Sequence, residues 1–388
     1  MKSLFKKIVA TALIFLIPLA ILSLSGCDLG KDDDTLVITI HEDSENKDEA
    51  VNGDIVGDAG KSFTLLIWEE FVPNEMIEEF EKKFGIRSKV EVMEEDVDLT
   101  ELLEKTPGRY DLIIASEYDL EGLLEEELLA EIDRGNIPNM TNIAAKFSQV
   151  PWDTGMKYSV PFTWGTIAIL YNKNEVPENS ISWETLRDPA YTGKIDLPNE
   201  PEYIFTQGKK ILGLSVNESN PEKLEEVKEL LFEQKEIIRG YFSIEEIKQH
   251  LVDGSSFVAF LPSYIALEII EENEHIDFKV PNNGAPLWVD SWIIPESAKN
   301  KKNAEIFVNF MLNKENVIEF AEYGLEPVTV IGIRDQLDDE LLKLGDIFPT
   351  NDVLKKCEHY EFSDEKSWDF MYKAWIELDG KDELKDED

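Results

Sequence analysis

From residue 63 to about residue 335, short strand-like runs alternate with amphipathic helical stretches. This alternation restricts the chain to a layered α/β fold, because each apolar helix stripe needs a sheet face to cover it. FTLLIW (63–68) is an apolar run of strand length. Pro73 then opens a helical pattern with Met76, Ile77, Phe80 and Phe84 on one face, closed by Gly85. The spacing predicts further strands at 87–93 and 110–116 and helices at 98–105 and 119–129. YSVPFTWGTIAILYN (158–172) is β-rich, with Pro161 and Gly165 interrupting its regularity, as suits a strand crossing between lobes. Residues 181–199 are turn-rich and end in a short strand. Helical patterns follow at 202–212, 221–234, 244–252, 263–272, 302–312 and 314–324. Strand-like runs lie at 255–262, 277–281 and 287–295, and 335–379 is helical in pattern.

One of those runs poses a chemical question. Residues 287–295 read LWVDSWIIP, which places Asp290 between Trp288 and Trp292. In a strand these three share a face, since side chains alternate with period two. A buried carboxylate must be paired or hydrogen-bonded. Backbone N–H groups are one answer. A ligand cation held by the carboxylate and faced by indoles is the other. Trp164 and Trp292 also suit ordinary packing.

The N-terminus reads as an export signal, so the chain is expected to be exported. Lys2, Lys6 and Lys7 precede an apolar stretch at 8–24, and LSGC (24–27) follows. That ending resembles a bacterial lipobox, which implies cleavage after residue 26 and a lipid on Cys27. Residues 27–62 are acidic and Gly/Asp-rich and read as a flexible spacer; LVITI (36–40) is one β-prone patch inside it. About 325 residues remain, enough for two lobes. Cys357 is the only other cysteine, so the mature globule has no internal disulfide, and the thiol suits an inert buried position. The four His (His41, His250, His275, His359) are scattered, and no HExxH, GxSxG or phosphate-loop pattern occurs. These absences argue against a hydrolase, a zinc enzyme or a nucleotidase, and no metal or other cofactor is expected. A net charge of −43 argues against nucleic acid and favours cationic partners, although solubility explains it equally well.

Six stretches together resemble the bacterial polyamine-binding proteins, the spermidine/putrescine receptors of ABC importers. They are IWEEFVP (67–73), YDLIIASEYDL (110–120), the segment 158–172, SWETLRDPAYTGKI (182–195), LWVDSWIIP (287–295) and KNKKNAEIFVNFMLN (299–313). The likeness implies the two-lobe periplasmic-binding-protein fold, α/β, with a hinge of crossing strands and a ligand cleft between lobes. Crossings are expected near Gly165, Ser291 and Ile333. Lobe 1 would comprise 63–165 plus 291–334, and lobe 2 would comprise 166–290 plus 335–388.

The same resemblance suggests the site. Trp68 and Phe71 fall at an aromatic pair, Phe71 lacking the hydroxyl of the family's Tyr. Ser116 and Tyr118 match a Ser-x-Tyr pair lining the cleft. Trp288 and Asp290 match an aromatic platform and a carboxylate gripping an ammonium. Glu200 or Glu202 would supply further acid, with Glu69, Glu326 and Glu361 as additions peculiar to this chain. A second family tryptophan is missing near 261–264, where Tyr264 is the candidate replacement. Each of these residues also has an ordinary reading, as a core aromatic, a turn tyrosine or a solvated acid.

The expected function is a lipid-anchored receptor, in the periplasm or on the outer face of the cytoplasmic membrane. It would act as a monomer and pass putrescine or spermidine to an ABC permease, without catalysis. A sugar, an amino acid or ferric iron are the alternative ligands, and a glycosidase or an adhesin the alternative functions.

Overall fold

The structure is a computed structural model that describes residues 61–94, 97–339, 341–361 and 364–379. The lipobox-like segment, Cys27 and the acidic spacer up to residue 60 lie outside the described residues.

β1 (Ser62–Ile67) leads into α1 (Asn74–Phe84), which buries Met76, Ile77 and Phe80. Gly85 ends that helix in the left-handed region at φ 66°, which a residue without Cβ adopts freely. β2 (Arg87–Val92), α2 (Leu99–Lys105), β3 (Leu112–Ala115) and α3 (Glu117–Glu125) follow. β4 (Ser159–Asn172) is the long central strand. Beyond it come β5 (Ile195–Pro198), α4 (Pro201–Ile211), α5 (Pro221–Gln234), β6 (Gly240–Phe242) and α6 (Ile244–Asp253). β7 (Val258–Pro262), α7 (Ser263–Glu272), β8 (Ile276–Lys279) and β9 (Pro286–Ile293) come next. α8 (Lys301–Met311), α9 (Lys314–Gly324), α10 (Asn351–Leu354), β10 (Glu358–His359) and α11 (Glu365–Asp379) complete the described chain.

The strands form one mixed sheet in the order β2-β1-β3-β9-β4-β7-β5-β6, with β8 paired to β4 and β10 to β9. β4 changes neighbours along its length. Residues Ser159 to Thr166 pair with β9, whereas Ile167 to Tyr171 pair with β7. Gly165 lies opposite Trp288 and Thr163 opposite Asp290, after a register shift between Pro161 and Thr163. A third segment joins the same place: the Thr329 N–H donates to the Phe162 carbonyl, and Trp164 N–H to that of Pro327.

Each half of the sheet carries its own aromatic core. Phe80 and Phe307 are 5.0 Å apart on the β1 side, and Trp183 and Phe260 are 5.7 Å apart on the β7 side. Two expectations need correction. The 119–129 helix starts earlier, at Glu117, directly after β3. Residues 335–361 are mainly short turns, with α10 and the two-residue β10, rather than continuous helix. β10 pairs parallel to the start of β9, and that tertiary pairing replaces the helix its polar sequence would otherwise allow.

Candidate ligand-binding cleft

The candidate residues gather because the parallel strands of the two halves run toward the same stretch of β4 from opposite directions, β3 ending at the level of Pro161 and β7 at Ile167, and hand over to helix N-termini. β1 delivers Trp68, Glu69 and Phe71; β3 delivers Ser116, Glu117 and Tyr118; β5 delivers Glu200, Glu202 and Tyr203; β7 delivers Tyr264. Acids are tolerated at such positions, because the helix macrodipole favours negative charge there.

Asp290 sits on β9 just past the last residue of β3, since Ser291 pairs with Ala115. It is partly buried, and its Oδ2 accepts the Thr163 hydroxyl at 3.2 Å. Among the described residues no Lys, Arg or His forms an ion pair with it. Burial pushes its carboxyl well above the ordinary range, with the Glu117 and Glu326 carboxylates adding to the shift and Thr163 opposing it.

Glu117 continues what β3 leaves unfinished. Its Oε2 accepts the Val289 N–H at 2.9 Å, a ladder bond made by a side chain beyond the strand's end. The residue is 2% exposed, and its Oε1 has no hydrogen-bond partner. Burial raises its pKa to about 8, with Glu202 and Asp119 adding to the shift. Glu202 is raised to about 7 by burial and by Glu200, and burial alone takes Glu326 to about 7. Four desolvated acids therefore share one region with no internal cation pairing any of them among the described residues.

Aromatic walls flank these acids. Trp288 is 7% exposed and meets Tyr264 edge-to-face at 5.7 Å, 86° between planes. Tyr264 thus stands beside the platform where the second tryptophan is missing. Tyr360 is buried and donates its hydroxyl to Thr206 Oγ1 at 3.3 Å. A cavity of about 250 Å³ adjoins, lined by Glu117, Tyr118, Glu202, Tyr360 and Glu361 among others.

The remaining candidates are placed less centrally. Trp68 is half-buried and packs edge-on to Phe71 at 5.4 Å, while Glu69 is exposed. Phe71 joins the β1-side core through Trp292 (5.8 Å) and Phe320 (5.4 Å). Ser116 donates both its N–H and its hydroxyl to Asp119, so its oxygen is engaged in starting α3. Glu200 is exposed at the N-cap of α4. Glu361 is exposed and anchored by its own N–H on Asn217 Oδ1 at 2.9 Å. Trp292 leaves the site: it is fully buried against Phe162 at 5.3 Å. Trp164 packs on Phe147 and donates its indole N–H to the Val328 carbonyl at 2.9 Å. Cys357 is a buried free thiol raised by burial.

Glu117, Glu121, Trp152, Tyr203 and Trp368 escaped the sequence reading. Glu117 lies between two chosen residues, yet an acid at a first helical position reads as solvent-facing until β9 is known to cover it.

Residues 75–330 match the family described as bacterial extracellular solute-binding protein. The spermidine/putrescine-binding periplasmic protein of Escherichia coli (strain K12) is 28% identical over 302 residues, covering 75% of this chain and 84% of that protein. The putrescine/cadaverine-binding protein of Pseudomonas aeruginosa is 25% identical over 333 residues, covering 82% of this chain and 94% of that protein. Among solved structures, the spermidine/putrescine ABC transporter substrate-binding protein PotD from Streptococcus pneumoniae is similar with a TM-score of 0.77 and 27% identity, covering 82% of this chain and 98% of that one. The mixed sheet divided along β4 is accordingly the two-lobe periplasmic-binding-protein fold. Its acid-lined cleft and the match over more than half of its length agree: this chain belongs to the bacterial extracellular solute-binding proteins.

Proposed function

We propose that the protein is a receptor that captures polyamines of the putrescine–spermidine class and delivers them to an ABC import permease. The observation that carries this reading is the cluster of Asp290, Glu117, Glu202 and Glu326, desolvated and without a paired cation among the described residues. Raised pKa values mark carboxylates that lack compensation. A ligand bringing its own ammoniums supplies it, and its methylenes lie against Trp288 and Tyr264. The printed names of the relatives, which bind spermidine, putrescine or cadaverine, support the same ligand class.

Within this reading Asp290 grips one ammonium, with Trp288 beneath it. Glu202, assisted by Glu200, faces the next. Trp68, Phe71 and Tyr118 wall the β1 side, and Glu69, Glu326 and Glu361 add field. Charge-assisted hydrogen bonds contribute about 1.5–3 kcal/mol each. Three or four of them plus methylene burial at about 0.8 kcal/mol per CH₂ supply about 8–15 kcal/mol for a diamine, against the roughly −8 kcal/mol of micromolar binding, and ordering the flexible chain draws on that surplus. The lobes are 63–165 plus 291–334 and 166–290 plus 335–388, a division supported by the change of partners along β4. They close on the ligand by a hinge motion. The receptor acts as a monomer, returns its ligand unchanged, and is held at the membrane by lipid on Cys27.

A neutral sugar suits this site poorly, because it leaves several desolvated acids uncompensated. Ferric iron is disfavoured as well: among the described residues no group of three His, Cys, Asp or Glu is arranged to hold a metal ion. No Arg is among the groups that act on the four acids, as an amino-acid carboxylate would require. Calorimetry with putrescine, spermidine and spermine tests the proposal, against arginine, maltose and ferric citrate. Heat with amines alone is expected; heat with maltose and none with amines overturns it. Cys27→Ser should move the protein from the membrane fraction to the soluble one.

A further inference from the structure

We propose that Lys146 and His359 form a clasp across the lobe division and act as positioning residues for closure over the ligand. The proposal rests on the polyamine reading and adds to it a contact, outside the ligand cleft, that sets the balance between open and closed lobes. Two hydrogen bonds run in opposite senses between the two segments. Lys146 Nζ donates to the Cys357 carbonyl at 2.7 Å, and His359 Nε2 donates to the Lys146 carbonyl at 3.1 Å. Lys146 falls in lobe 1, and Cys357 and His359 fall in lobe 2, under the division proposed above.

Each end is rooted in its own lobe. The Ala144 N–H donates to the Thr329 carbonyl at 2.9 Å, and Phe147 packs on Trp164 at 5.2 Å. On the other side, Glu358 pairs with the buried Lys210 at 3.0 Å, and Asn217 Nδ2 donates to the His359 carbonyl at 2.9 Å. β10 itself pairs with the start of β9. The reciprocal bonds span these anchors, with the His359 ring set edge-on to Phe147 (5.7 Å) and Trp152 (6.0 Å). Rotation of one anchored segment away from the other breaks them.

The chemistry makes the clasp modest in strength. A carbonyl only accepts, so His359 Nε2 carries the proton. Nδ1 is then a buried acceptor without a partner. Burial keeps the imidazole neutral, its pKa lowered to about 4. Lys146 is half-buried, forms no ion pair among the described residues, and is likewise lowered by burial. Both groups regain water when the segments part, so the contact biases the lobes without locking them. It opposes the desolvated acids of the empty cleft, which favour opening. Neither Lys146 nor His359 lines the cavity beside the cleft. Losing the clasp lowers the closed fraction, and that weakens every amine by the same factor.

Calorimetry with putrescine, spermidine and spermine tests this, together with small-angle X-ray scattering, on the purified protein and its Lys146→Met and Lys146→Arg variants. Methionine keeps the apolar stem and removes the donor, whereas arginine restores one; circular dichroism checks that both variants fold. In Lys146→Met the three affinities should fall by one common factor of about threefold to tenfold, and the unliganded radius of gyration should grow. Lys146→Arg should return both toward the unsubstituted values. Unchanged affinities, an unchanged unliganded radius, or weakening of one amine alone each overturn the clasp and leave the polyamine reading standing. Absence of heat from every amine with the unsubstituted protein overturns that reading instead; the unliganded radius of Lys146→Met then decides the clasp by itself.

Discussion

A Cβ on Gly165 would lie 2.3 Å from Cζ2 of Trp288 and 2.2 Å from Oγ of Ser263. The indole rests across the β4 backbone because that position carries no side chain, and this sets its edge-on contact with Tyr264. Gly165→Ala must displace the ring or the hydroxyl. Overpacking of this kind costs about 1–3 kcal/mol. The melting midpoint is expected to fall, with amine affinity reduced at least about tenfold as the platform shifts. Thermal melts and calorimetry on the variant check both, and unaltered affinity would remove Trp288 from the binding surface.

Trp288 and Trp292 stand four residues apart on one strand but belong to different environments. Trp292 is enclosed by Phe71, Phe162 and Phe307 and has no exposed surface. Its replacement by Ala should cost about 3–5 kcal/mol of stability. Trp288→Ala should cost less stability and more affinity, at unchanged charge. Denaturant unfolding compared with amine titration separates the two; a larger stability loss at Trp288 contradicts the assignment.

Asp290→Asn preserves shape and removes the charge. Losing one charge-assisted hydrogen bond should weaken amine binding about tenfold to a hundredfold. The unliganded protein should gain stability at pH 8, because the variant no longer desolvates a carboxylate surrounded by Glu117 and Glu326. Binding constants and melting midpoints measured on one preparation decide it. A variant that binds normally, or melts lower at pH 8, refutes the role.

Much of the architecture was readable where local chemistry marks boundaries. α5 follows Asn220, whose side chain accepts the N–H groups of Glu222 and Lys223, with Pro221 at the first helical turn. α7 starts where Pro262 ends β7. Features made by long-range pairing were not readable. β10 is two residues long and exists only because Pro286 and Leu287 offer an edge. The divergence of Trp288 and Trp292 depends on which strands flank β9, which no periodicity reports. Glu117 was missed for the same reason: only the approach of Val289 turns an ordinary helix-start acid into a buried one. The resemblance to polyamine receptors drew attention to Asp290 and Trp288, whereas Phe71 and Ser116 proved to have structural partners of their own.

The raised carboxyls give the protein a pH signature with a definite sign. Glu117, Glu202 and Glu326 have folded-state pKa values of about 8, 7 and 7, against 4.5 ordinarily. Between those limits the folded state holds protons that the unfolded state has released, so stability falls as pH rises. Their stabilising contribution is complete below about pH 4.5 and is lost through pH 7 to 8. Glu117 faces Glu202, Asp119 and Asp290; Glu202 faces Glu200 with Lys209 opposing, so no neighbour restores full ionisation in the empty cleft. A polyamine prefers the ionised acids. Its affinity should therefore rise from pH 6 to pH 8, and binding at pH 7 should release protons. Calorimetry in two buffers of different ionisation enthalpy reads that release directly, and melts from pH 5 to 8 read the stability trend. Glu117→Gln should flatten both curves. Proton uptake on binding, or a melting midpoint that climbs across this range and is unaffected by Glu117→Gln, would mean that these acids are already compensated inside the protein.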